Sequence, residues 1–121
     1  EANFYLGGGN LQAAADAHNA AVIEHLAKLG VSDATYEAAF ASETGATISL
    51  EKIMVQKYIA MFTNLEAFSD WRRTGFPALT AVPSNVTGGI IPRRLPYVES
   101  ERFYNPNTPT AALTTRVWWD Q

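Results

Sequence analysis

The chain has 121 residues, so it is one domain at most, or part of one. With 47% hydrophobic and 17% charged residues and a net charge of −3, it is neither a disordered polymer nor a globally basic binder of nucleic acid. It has no Cys, which excludes a disulfide scaffold, a thiolate zinc site, a thiol nucleophile and an iron–sulfur cluster, and no apolar run approaches the roughly 20 residues of a membrane helix.

Glu1 to Leu6 reads as the tail of a helix, broken by Gly7-Gly8-Gly9. Asn10 is a good N-cap, and Leu11, Ala14, Ala15, His18, Ala21, Val22, His25, Leu26 and Leu29 recur at helical spacing. Gly30 suits the C′ position, so the pattern predicts a helix over 11–29 with an Ala-rich stripe that lets a neighbour approach closely. Ser32 or Asp33 caps a shorter helix carrying Tyr36, Ala39 and Phe40. Ser49 caps a longer one carrying Leu50, Ile53, Met54, Lys57, Tyr58, Met61 and Phe62. A break at Thr63-Asn64 starts another, with Leu65, Phe68 and Trp71 on one face, ended by Gly75 and Pro77. Beyond that point the chemistry changes. All six Pro lie in 77–121, and all six Arg lie from Arg72 onward, whereas the three Lys precede position 58. Residues 1–76 are therefore predicted helical, and 77–121 mostly loop packed over the helices, with a flexible turn at Gly88-Gly89.

Four groups of residues invite a chemical reading. His18 and His25 lie seven apart on one helix face, but a metal pair wants i,i+4 spacing or a carboxylate on the same face, so two half-buried helix histidines are expected. Asp70-Trp71-Arg72-Arg73-Thr74-Gly75 is the densest cluster, and its arginines sit where a helix C-terminus favours cations. Ile91-Pro92-Arg93-Arg94-Leu95-Pro96-Tyr97 places a second Arg pair between prolines, suited to bridging onto helix carboxylates such as Glu66 or Asp70, with Glu99 and Glu101 nearby. Trp118-Trp119-Asp120 offers two rings, for stacking on a sugar or for docking the terminus with one ring while the other covers a rim. No phosphate loop, nucleophile elbow or evident carboxylate pair occurs, so no catalytic, cofactor or metal residue is assigned.

Read in order, Ile53-x-x-Gln56-Lys57-Tyr58-Ile59-Ala60-Met61-Phe62, then Glu66-Ala67-Phe68-Ser69-Asp70-Trp71-Arg72-Arg73-Thr74-Gly75-Phe76-Pro77-Ala78-Leu79, then Ile91-Pro92-Arg93-Arg94-Leu95-Pro96-Tyr97-x-x-Ser100-Glu101, then Asn105 and Trp118-Trp119-Asp120, the chain resembles the C-terminal part of the SusD/RagB family. The paired W-R-R-T-G and I-P-R-R-L motifs are specific. Tyr58 and Phe68 stand where the family commonly has Trp, Phe76 where it has Tyr, and Val98 where it has Pro, all keeping apolar or aromatic character.

The resemblance implies an all-α, SusD-like fold with tetratricopeptide-like helix pairs, of which residues 1–121 are the C-terminal part. It implies a surface-exposed outer-membrane lipoprotein of Bacteroidetes-type bacteria that captures oligosaccharides for a SusC-like, TonB-dependent transporter, or oligopeptides in the RagB-like case. It implies a binder rather than an enzyme, without cofactors, and with membrane contact only through a lipid anchor outside this segment. A helical protein-interaction module without a small ligand is the alternative. Glycan contacts lie largely upstream in such proteins, so no ligand-binding residue is transferred. Trp71, Arg72, Arg73, Arg93 and Arg94 match family positions and are read as a structural lock between helix end and loop. A segment of this kind is expected not to fold well alone, because its first helix lacks a partner and its Pro-rich tail needs a surface to cover.

Overall fold

A computed structural model describes residues 1–5 and 9–120. Gly7 and Gly8, assigned to the first break, lie outside the described residues. The described residues form helices and irregular segments without strands, as expected for the all-α class. The chain divides into two compact units, Glu1–Phe68 and Ser69–Gln121.

The first unit is organised by α2, Leu11–Lys28. Its start is set by Asn10, whose side chain accepts a hydrogen bond from the Ala13 amide at 3.0 Å. Its end is a Schellman motif: Gly30 N–H donates to Ala27 O and Val31 N–H to Leu26 O, both at 3.0 Å. Gly30 takes φ +69°, a conformation that a side chain would strain. Ala14, Ala15, His18 and Val22 form the buried stripe of α2. The short α1 (Ala2–Tyr5), α3 (Ala34–Phe40) and α4 (Leu50–Ala60) all pack against α2, where the alanines permit close approach. Asp33 caps α3 through the amides of Thr35 and Tyr36, and Ser49 caps α4 through Lys52 N–H. Met54 and Ile48 complete the core from the α4 side.

The loop between α3 and α4 is fastened to α2 by polar side chains. Asn19 donates to Glu43 O at 2.8 Å and accepts from Glu43 N–H at 2.9 Å. Gln12 accepts from Gly45 N–H at 2.9 Å. A Cβ on Gly45 would lie 3.0 Å from the Gln12 amide nitrogen, so the contact requires glycine. Lys52 donates to the Glu43 carboxylate at 2.7 Å and to Thr47 O at 2.9 Å. The Lys52 ammonium, then the Thr47 hydroxyl, hold the Glu43 carboxyl below its ordinary range.

The predicted helix through Met61 and Phe62 ends at Ala60 instead. The chain turns at Thr63, with φ +70°, and Asn64 caps the next helix through Glu66 N–H at 2.9 Å. Phe62 and Leu65 therefore fall in the turn and are exposed, rather than continuing the apolar faces predicted for them.

α5, Glu66–Thr74, leads into the second unit and ends at Gly75, whose φ is +75°. The remainder is loop apart from α6, Glu99–Tyr104. This one-and-a-half-turn helix has no side-chain N-cap, so the sequence carried little signal for it. Thr108 secures its C-terminus by donating toward Glu101 O and Asn105 O. The turn at Gly88-Gly89 forms as predicted, with both glycines at positive φ and the Asn85 side chain bridging Gly89 N–H and Ile90 O.

Candidate functional site

The arginine and tryptophan motifs converge within the second unit. Three stretches meet: the last turn of α5, the loop at Arg93-Arg94, and the chain end at Trp119-Asp120. Trp71 is 7% exposed, and it is the buried hydrophobic residue of this unit among the described residues. The Arg93 guanidinium lies 4.5 Å from the Trp71 ring centre and pairs with the Asp120 carboxylate. The Arg72 guanidinium lies 4.5 Å from the Trp119 ring centre, and its Nη1 donates to Arg93 O at 2.8 Å. Arg73 pairs with Asp70 at 2.7 Å, and the Thr74 hydroxyl donates to Asp70 O at 2.8 Å. The amides of Arg93 and Arg94 both donate to Leu113 O, which ties this loop to a further segment.

Why arginine serves here follows from its shape. A planar guanidinium stacks on an indole with its face while its edge donates hydrogen bonds, so one side chain joins an aromatic residue to a carboxylate, as Arg93 does, or to a backbone carbonyl, as Arg72 does. Lysine, a point charge on a flexible stem, cannot do both. The carboxylate of Asp120 is buried, so its pairing with Arg93 supplies charge where water does not.

The motif residues thus come together as a lock, with their guanidinium groups turned to protein partners. The carboxylate that receives Arg93 is Asp120, a residue at the far end of the sequence that was not considered for this role. Glu101, anticipated as part of the arginine network, instead accepts a hydrogen bond from the side chain of Asn105, the residue that follows α6. Arg94 stands at the edge of the cluster, 5.5 Å from the Tyr97 ring centre. The docking reading holds for one ring of the pair: Trp119 takes part in the stack, whereas Trp118, expected to cover a rim, is 95% exposed.

His18 and His25 lie in the first unit on the wall of a groove between α2 and α4, about 310 Å³ in volume. His18 is buried and its Nε2 lies 3.1 Å from Phe40 O, so that nitrogen carries the proton and donates. It closes the C-terminus of α3 onto α2. Among the described residues no group of three His, Asp or Glu side chains is placed to hold a metal ion. No helix among them is long and apolar enough to cross a membrane.

The fold and the lock define a helical scaffold protein in which arginine–tryptophan stacks hold an irregular C-terminal segment. The family model for SusD-like proteins, described as SusD and RagB outer membrane lipoprotein, matches residues 2–120, and the chain belongs to this family. It is a family of nutrient-binding outer-membrane lipoproteins, binding proteins rather than enzymes. No match was found among curated proteins or among solved structures.

Proposed function

We propose that this chain forms part of a cell-surface lipoprotein that captures oligosaccharides and delivers them to a SusC-like, TonB-dependent transporter in the outer membrane. The observation that carries the reading is the family match across residues 2–120. The physical character of the chain supports it. A capture protein seated on a transporter needs a stiff scaffold, and this chain fastens its loops with buried polar and ionic contacts. Trp71, Arg72, Arg73, Arg93 and Arg94 serve that stiffness and are not assigned to ligand. The family description also covers RagB, which favours oligopeptide capture as the second reading.

Two experiments on the full-length lipoprotein test this. Affinity purification from detergent-solubilised outer membranes should bring down a TonB-dependent barrel in stoichiometric amount. Calorimetric titration should show binding of oligosaccharides without turnover. Binding of oligopeptides alone would select the second reading, and purification without a barrel would overturn the transporter partnership.

A further inference from the structure

The second unit contains a cleft of about 450 Å³ that adjoins the lock at Leu113 and is in the size range of small-ligand sites. It is lined by Pro96 and Tyr97 and by the irregular segment through Thr110, Ala111 and Ala112. Arg102, from α6, stands on its margin.

Of the polar side chains here, the Tyr97 hydroxyl accepts from Arg94 at 3.4 Å and the Thr108 hydroxyl donates to Glu101 O and Asn105 O, while two others are unspent. Among the described residues Arg102 makes no ion pair and no side-chain hydrogen bond, and neither does the Thr110 hydroxyl. The amides of Thr110, Ala111 and Ala112 donate to no protein acceptor among them either. Residues 69–121 hold six arginines and four acidic residues. Asp70 and Asp120 are engaged by Arg73 and Arg93, and Glu101 accepts from Asn105. The cleft thus combines an uncommitted guanidinium, a hydroxyl and backbone amides without a protein acceptor among the described residues, beside the Pro96 ring and a Tyr97 ring that the Arg94 guanidinium approaches to 5.5 Å.

Each feature selects part of a ligand. A guanidinium with both donor edges open prefers a carboxylate, which it grips through two parallel hydrogen bonds. Ring surfaces of Tyr and Pro accept the C–H face of a pyranose, and free amides and a hydroxyl suit its rim of oxygens. A sugar ring bearing a carboxylate satisfies all of them together. We propose that this cleft is a binding subsite for a uronic acid unit of an acidic oligosaccharide, with Arg102 as the residue that recognises the carboxylate. The proposal rests on the oligosaccharide reading above and adds the charge of the ligand and the place where that charge is read.

The test is calorimetric titration of the full-length lipoprotein and its Arg102→Gln variant with trigalacturonate, cellotriose and triglutamate. The expected result is that trigalacturonate binds the parent protein and that Arg102→Gln weakens this at least tenfold, with Arg102→Lys intermediate. Because Arg102 is exposed and makes no ion pair among the described residues, the variant should melt with the parent, which separates lost binding from lost fold. Trigalacturonate binding that Arg102→Gln leaves unchanged would overturn the cleft while upholding oligosaccharide capture. Binding of cellotriose without trigalacturonate would likewise overturn the acidic specificity and leave capture standing. Binding of triglutamate alone would overturn both this inference and the oligosaccharide reading.

Discussion

The two units of this chain are stabilised by different physics. In Glu1–Phe68 the buried residues are mainly apolar, with Ala14, Ala15, Val22, Ile48 and Met54 packed where helices meet α2. Among the described residues of Ser69–Gln121 the buried ones are Trp71, Asp70 and Asp120, one indole and two carboxylates. A helical layer gains stability by burying a stripe of small side chains. A Pro-rich segment with little regular structure has no such stripe, and directional contacts from arginine replace it. The lesson is that the second unit should be brittle: a few side chains carry what is spread over many in the first.

The sharpest way to break this comparison is Arg93→Ala, which leaves the buried Asp120 carboxylate without its guanidinium. A loss of about 3–5 kcal/mol is expected from stranding one member of a buried pair. Urea unfolding of the full-length lipoprotein measures it. Hydrogen exchange should localise the loss to amides of residues 92–120 and leave those of α2 protected. Arg72→Ala, which removes the Trp119 stack and the bond to Arg93 O, should cost about 1–3 kcal/mol in the same unit. The converse probe is Gly45→Ala, whose new methyl would crowd the Gln12 backbone. It should cost about 1–3 kcal/mol by overpacking, with faster exchange confined to the loop and the start of α2. If Gly45→Ala loosened the second unit equally, the separation of the two mechanisms would be wrong.

The smallest expected effect comes from the Glu43–Lys52 pair. Its carboxyl is held below the ordinary range in the folded protein, so the unfolded chain takes up the proton at higher pH than the folded one. The contribution is complete above the ordinary carboxyl value of about 4.3 and disappears as pH falls through the lower folded value. Since the Lys52 side chain is 45% exposed, the pair should be worth roughly 0.2–1 kcal/mol. Comparing acid unfolding of the parent with Glu43→Gln checks it: the variant should lose this part of the pH dependence.

How far the sequence could be read depended on the range of the interaction. Caps at Asn10, Asp33, Ser49 and Asn64 and stops at Gly30 and Gly75 act within a turn or two, and each is found where its residue type indicated. Helix length at the α4–α5 junction was misjudged because Met61 and Phe62 continue an apolar spacing that the turn at Thr63 interrupts. Gln12 and Asn19 stand outside the alanine stripe that dominates the apolar pattern of α2. Their seven-residue spacing puts both on one face of α2, and an asparagine inside a helix is a poor helix former, a signal that something else holds it.

The helical class, the helix boundaries set by local caps, and, through W-R-R-T-G and I-P-R-R-L, the family are legible in the residues alone. Packing in three dimensions sets the rest: Arg93 meets Asp120, Arg72 stacks on Trp119, and Arg102 makes no ion pair or side-chain hydrogen bond among the described residues beside a cleft. A cap is a contact between near neighbours and is written in adjacent letters. The pairing of a charge with one of several carboxylates depends on which loop closes onto which helix, and that is chosen by the packing of the whole unit.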